Sequence, residues 1–340
     1  MLRTLIVGVG SIGERHLRCF AQTQRTELAI CESNTSLLHR VQDEYAVTSA
    51  YANLDAAWND RFDLVVIATP AHLHLPMATA AVRQGSHVLI EKPLCVSASD
   101  LELLQAEAKH SERHVMVAYV LRHHPLLEWM KRRMQKDEFG RPLHLQVTSG
   151  QHFPTYRPAY QSIYYSQHAT GGGAIQDGLT HLLDLAQWLI GPVDQLVADA
   201  SHQQLEGVSV EDTVNVISRH GSALASFAFN QYQAPNETSL TCVCERGTWR
   251  WDHHLNSLAW KFDPAEPWQR RTEEDLLRDT LFVRQANAAL DVVAGQAIPR
   301  CSLDEAYQDW RAAMAIFESM QRRSWVRVAE IEPSYKPRWD

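Results

Sequence analysis

The first apolar run of the chain, residues 4–9, ends in "GVGSIG" and gives way at once to the helical pattern "ERHLRCF". No other stretch narrows the fold so far. Gly8, Gly10 and Gly13 take the G-x-G-x-x-G spacing, in which the first glycine permits a tight turn, the second a close approach by a pyrophosphate, and the third close helix–strand packing. The helix opened by Ser11, Ile12 and Gly13 directs its free N–H groups at that anion. The next apolar run, residues 27–32, ends in Glu32, about 20 residues beyond the glycines, where a carboxylate accepts the hydroxyls of an adenosine ribose. Strand, glycine turn, helix and acidic strand end together read as a dinucleotide site. Glu32 repels a 2′-phosphate and so favours NAD over NADP, while Arg40, one helix further on, keeps NADP open.

Apolar runs at 63–69, 87–90 and 115–119 continue the alternation, each separated from the next by an amphipathic segment. Near-continuous apolar strands joined by helices predict a doubly wound parallel sheet covered on both faces. Ligands of such sheets lie beyond the carboxyl ends of the strands. Two stretches fall there: "ATPAHLHLP", with Thr69, Pro70, His72 and His74, and "IEKPL", with Glu91, Lys92 and Pro93. Lys92 reads either as part of an exposed turn with a chance ion pair or as a fixed cation beside a nicotinamide.

With 340 residues, 45% of them hydrophobic, the chain is long enough for two cores. Its 32 basic and 40 acidic residues, net charge −8, are spread along the sequence, which argues against a nucleic-acid footprint and against an electrostatic membrane anchor. No window approaches the roughly 18 apolar residues of a membrane span, and no signal peptide precedes the first strand. A cytoplasmic protein is expected. The six scattered cysteines predict no disulfide framework, and Cys242 and Cys244, on one face of an apparent strand, read as core residues.

From residue 121 the pattern changes: a helix near 125–136 precedes alternating segments at 143–148, 213–217, 224–229 and 238–244, with a turn at His220-Gly221-Ser222. Short strands joined by such turns predict antiparallel pairing. The expected division is residues 1–120 and 121–340, with a ligand crevice between the two domains.

Residues 171–189 open with three glycines and continue as a helix. At about 100° per residue its leucines share one side, while Asp177, His181, Asp184 and Trp188 share the other. Asp177 and His181, at i and i+4, address one substrate atom; no metal site is expected there. Asp184 reads as a helix brace and Trp188 as packing. The preceding segment "QHFPTYRPAYQSIYYSQH" is either a platform for a sugar ring, with Arg157 and Tyr164 as substrate contacts, or a packed, proline-constrained loop.

Taken together, the glycine fingerprint, Thr69-Pro70 to His74, Glu91-Lys92-Pro93, "AYVLRHHP" with Tyr119 and Arg122, and the 171–189 stretch resemble the Gfo/Idh/MocA oxidoreductases, and the resemblance runs essentially the whole length to the closing helix "PRCSLDEAYQDWRAAMAIFESMQRR". The resemblance implies an N-terminal Rossmann domain and a C-terminal α/β domain with a large, open, mostly antiparallel sheet that carries a homodimer or homotetramer interface. It also implies that the glycine loop, Glu32, Thr69, Pro70, His74, Glu91 and Lys92 hold NAD, that Lys92, Asp177 and His181 are catalytic, and that Arg122 joins Arg157 and Tyr164 near the substrate. The expected reaction is hydride transfer between a secondary hydroxyl of a sugar or polyol and the nicotinamide. Such a step needs a base, a donor to the developing alkoxide and fixed geometry. His181 suits the first role and Lys92 the second, although the two can exchange. The rival readings are an NAD-dependent glycosidase working through transient oxidation and a non-catalytic sugar sensor.

Overall fold

A computed structural model describes residues 1–274 and 276–338. The described residues divide into two compact units, the first from residues 1–123 with 277–306 and the second from residues 124–276 with 307–338.

The first unit is built on six parallel strands: β1 (Leu2–Val7), β2 (Thr26–Cys31), β3 (Ser49–Tyr51), β4 (Leu64–Ile67), β5 (His87–Ile90) and β6 (Val115–Val117), in the order β3-β2-β1-β4-β5-β6. Every residue of β4 and β5 is buried, as a strand covered by helices on both faces requires. The sequence anticipates five of these strands; β3, three half-buried residues, is too short to carry a pattern.

A single division was expected at 120/121; the first unit instead runs to residue 123 and takes in residues 277–306 as well. The helix Arg278–Val293 returns to the first unit and places Ala286, Ala289 and Leu290 in the core with Ile6, Phe20, Ile30 and Val66. Asp279 ties it to helix Ser11–Thr23 through Arg18 (2.6 and 3.0 Å) and Arg15 (3.1 Å). An amphipathic helix states that one face is buried but not against which sheet. The closing helix Leu303–Arg322 contributes its first turn to this unit and the rest to the other.

The second unit carries nine strands: β7 (Pro142–His152), β8 (Gln195–Ser201), β9 (Thr213–His220), β10 (Ala223–Asn230), β11 (Tyr232–Cys244), β12 (Thr248–Asp252), β13 (Ser257–Lys261), β14 (Gln269–Thr272) and β15 (Val326–Arg327), in the order β14-β13-β12-β11-β7-β10-β9-β8-β15. All neighbours are antiparallel except β7 and β10. β9 and β10 alternate buried and exposed residues, the signature of a sheet covered on one face. Its edges are a fully exposed Gln-Arg-Arg-Thr strand and a two-residue strand, both poor templates for stray pairing. Cys242 and Cys244 are free and buried, as core residues should be.

Candidate active site

The cofactor edge belongs to the first unit. Because β2, β1, β4 and β5 are consecutive neighbours, Glu32, the glycine loop, Thr69-Pro70 and Glu91-Lys92 follow their carboxyl ends in that order. The strand ends that carry Glu32 and Lys92 are thus three strand spacings apart, about 14 Å. The order reverses between β1 and β4, where the glycine loop sits, and a parallel sheet binds its ligand at such a reversal.

The three glycines have different tasks. Gly8 holds φ +81°, and a Cβ there would meet the Ala68 carbonyl oxygen at 2.9 Å. At Gly13 a Cβ would fall 1.8 Å from the Gly8 carbonyl oxygen, whereas at Gly10 it would meet no protein atom within 4 Å. The space beside Gly10 is therefore left for something other than the chain. The helix Ser11–Thr23 begins there without a side-chain cap, so the amide donors of its first turn are suited to a pyrophosphate.

Glu32 is fixed from both sides: Val9 N–H donates to Oε2 (3.0 Å) and Asn34 N–H to Oε1 (2.9 Å). Arg40 is engaged by Glu14 (2.6 Å) and Glu44 (2.9 Å), and its first partner, Glu14, is held by that hydrogen bond below the usual carboxylate range. The fully buried His74 links two loops, its Nε2 2.8 Å from the Thr69 carbonyl and its Nδ1 3.0 Å from that of Pro93. Burial lowers its pKa, against the opposing pull of these carbonyls.

Lys92 is half-buried and precedes a cis proline bond. Its N–H donates to Glu91 Oε2 (3.1 Å), and Glu91 Oε1 lies 2.6 Å from His16 Nε2, both side chains buried. His16 is a residue the sequence reading passes over. It sits three positions past Gly13, on the face of its helix that packs inward, and that spacing is the only local signal for it.

The second unit carries Asp177 and His181. The predicted helix is present as Thr180–Ile190, but Ile175–Leu179 is a wider π turn, so the sequence estimate of 100° per residue does not hold across Asp177. Single π turns recur at functional sites. Gly178 lets this turn pack against β10, since a Cβ there would lie 2.2 Å from the Phe229 ring. Glu211 holds its start: Ile175 N–H donates to Oε1 (2.9 Å), Ala174 N–H to its carbonyl (2.9 Å), and His168 Nε2 pairs with Oε2. Neither Glu211 nor His168 was found from sequence; an acidic pair, Glu211-Asp212, just before an alternating strand is the faint signal. Asp177 is buried and His181 half-buried.

Among the weaker candidates, Arg122 is 98% buried, with Nη1 donating to the Arg300 carbonyl (2.7 Å) and to Glu305 (2.6 Å). That geometry gives it a scaffolding task within the first unit. Arg157 and Tyr164 are brought together with Asp177: Arg157 Nη1 donates to the Tyr164 hydroxyl (3.0 Å), which donates to Asp177 Oδ1 (2.7 Å). Their segment is a packed loop, with Tyr160 and Tyr165 buried against Phe153, Leu205 and Val210. Asp184 is fully buried, and Trp188 is half-buried beneath Lys131, 5.8 Å from its ring.

A parallel sheet with an open glycine loop at its order reversal, joined to a unit with a nine-stranded sheet, defines a dinucleotide-binding class of protein. Residues 2–119 match the model of an oxidoreductase family with an NAD-binding Rossmann fold, and residues 127–250 match the GFO/IDH/MocA C-terminal domain. The chain belongs to the Gfo/Idh/MocA oxidoreductase family, and its first unit is an NAD-binding domain. It is 29% identical over 195 residues to inositol 2-dehydrogenase of Salmonella typhimurium strain LT2, covering 56% of this chain and 54% of that protein. The match to levoglucosan dehydrogenase of Pseudarthrobacter phenanthrenivorans is 27% over 200 residues, 55% of this chain and 50% of that one. The aligned part thus spans about half the length of these curated relatives. A structure of levoglucosan dehydrogenase with NADH and levoglucosan superposes with a TM-score of 0.88 at 21% identity, covering 97% of this chain and 100% of that one. No helix among the described residues is long and apolar enough to cross a membrane.

Proposed function

We propose that the chain is an NAD-dependent dehydrogenase that oxidises a secondary hydroxyl of a sugar, polyol or sugar derivative, or runs the reverse reduction. The observation that carries this reading is the position of Lys92. Its strand end lies at the opposite end of the row from Glu32, so a dinucleotide with its ribose at Glu32 and its pyrophosphate at Gly10 has its nicotinamide toward Lys92. The inositol and levoglucosan dehydrogenases among the relatives support the substrate class.

Bound NAD supplies the hydride acceptor. His181 accepts the hydroxyl proton, as an imidazole does near neutrality. The Lys92 ammonium hydrogen-bonds the substrate oxygen and stabilises its developing negative charge. Asp177 orients the substrate hydroxyls and the imidazole. NAD is preferred over NADP because Glu32 repels a 2′-phosphate while Arg40 is occupied by Glu14 and Glu44.

The protein works as a homodimer or homotetramer through the open face of the nine-stranded sheet. Ile217, Leu224 and Val243 are exposed there, beside a depression of about 650 Å³ that includes Gln146 and Asn215. The six free cysteines accord with the cytoplasm.

The test is a panel of polyols, sugars, uronic acids and nucleotide sugars with NAD and NADP, read by absorbance of the reduced nicotinamide. A secondary alcohol oxidised faster with NAD is the expected result. Glycoside cleavage without accumulation of NADH would replace the reading with the glycosidase, and silence across the panel with measurable NAD binding would replace it with the sensor.

A further inference from the structure

We propose that Tyr164 and Arg157 are positioning residues for Asp177 rather than substrate contacts. The inference rests on the reading of Asp177 as part of the catalytic set. The direction of the relay follows from donor chemistry alone. A guanidinium offers only N–H donors, so the Tyr164 oxygen accepts from Arg157 Nη1 at 3.0 Å. The one phenolic hydrogen then goes to Asp177 Oδ1 at 2.7 Å. Asp177 is thereby held by a charge-assisted hydrogen bond that commits Oδ1 to the loop.

The loop is built to hold this geometry. Tyr165, the next residue, is fully buried with its ring 4.4 Å from that of Phe153, and its hydroxyl bonds to Gln231. The Thr170 hydroxyl donates to the Tyr164 carbonyl at 2.6 Å. Arg157 has its guanidinium 5.7 Å from the Phe153 ring centre, and its N–H donates to the Phe153 carbonyl at 2.7 Å. Both relay residues are thus anchored to one aromatic cluster, whereas a side chain that reaches out to grip varied substrates gains little from such anchoring.

The test uses the NAD-loaded full chain and the alcohol of the panel that is oxidised fastest, with myo-inositol and levoglucosan as the first probes. Tyr164→Phe is expected to lower kcat by about 10- to 100-fold with KM within about twofold, the loss of one hydrogen bond to a charged group. Arg157→Gln is expected to lower kcat by about tenfold, and Arg157→Lys, which still donates to the tyrosine oxygen, to recover part of it. A raised KM at unchanged kcat overturns the proposal and makes the pair substrate contacts. If Asp177→Asn itself leaves kcat intact, the catalytic reading of Asp177 fails; if Asp177→Asn is impaired while Tyr164→Phe is not, the relay alone fails. Denaturant unfolding of the NAD-bound protein gives a readout independent of turnover. The destabilisations of Tyr164→Phe and Asp177→Ala are expected to be less than additive, and strict additivity overturns the relay.

Discussion

The cofactor edge of the first unit and the candidate catalytic helix of the second solve the same problem, holding chemical groups still, in opposite ways. The edge is framed by backbone: a glycine loop, an uncapped helix start and strand ends whose order follows from the sheet and places Glu32 and Lys92. The helix is made of side chains held by distant loops, with Glu211 gripping Ile175 from 36 residues away and Tyr164 gripping Asp177. A backbone site tolerates almost no added atom, whereas a side-chain site fails when one anchor is cut.

Within the edge, Gly13→Ala gives the largest expected effect. The added Cβ collides with backbone, so the substitution costs at least about 3 kcal/mol and is visible as a large drop in melting temperature without cofactor. Gly10→Ala sharpens the contrast. Its Cβ meets only open space, so the stability without cofactor falls by no more than about 1 kcal/mol, the cost of alanine at a helix N-cap. NAD affinity, measured calorimetrically, falls at least about tenfold because the methyl group occupies the place of the pyrophosphate. Unchanged NAD affinity in Gly10→Ala would break the account of the edge.

Glu211→Ala makes the reverse prediction for the second unit. It leaves the Ile175 N–H buried without its acceptor and His168 without its carboxylate, costing about 2–3 kcal/mol. Turnover falls with it, since Asp177 lies two residues past Ile175, while NAD affinity is retained. Equal loss of NAD affinity would show that the two regions are not separable in this way.

The smallest expected effect concerns the returning helix. The hydrogen bonds from Arg18 to Asp279, with the charges of Arg18 and Arg15, hold its carboxyl below the usual carboxylate range against the raising effect of partial burial. A depressed carboxylate stabilises the fold at pH above its unfolded value of about 3.9, and that contribution is lost as pH falls through the lower folded value. With both partners about a third exposed, Asp279→Asn lowers stability by about 0.5 kcal/mol at neutral pH. The difference between parent and variant closes below about pH 4, as acid unfolding curves would record.

Local requirements are visible in a sequence and long-range ones are not. What the sequence shows at the edge is local: a φ of +81° at Gly8, a Gly13 at which an added Cβ would fall 1.8 Å from the Gly8 carbonyl oxygen, and the charges of Glu32 and Lys92 at strand ends. The alternation that marks β9 and β10 was legible for the same reason. The π turn was not local in this sense, because its surroundings, the Phe229 ring beside Gly178 and the Glu211 carboxylate at Ile175, come from elsewhere in the chain. Nor were the His16–Glu91 pair, 75 residues apart, or the destination of helix Arg278–Val293, whose pattern shows an apolar face but not its partner. Arg122, expected near the substrate, has a scaffolding task through Arg300 and Glu305 that single-residue reasoning had no means of seeing.

The central claim is that cofactor recognition resides in the edge while Lys92 and His181 supply the chemistry. Its most direct test is turnover of Lys92→Ala and His181→Ala on the alcohol found by the panel, with NAD affinity measured on the same preparations. The account predicts turnover lowered about 10²–10⁴-fold in each, with NAD affinity little changed. Near-normal turnover in both variants would contradict it.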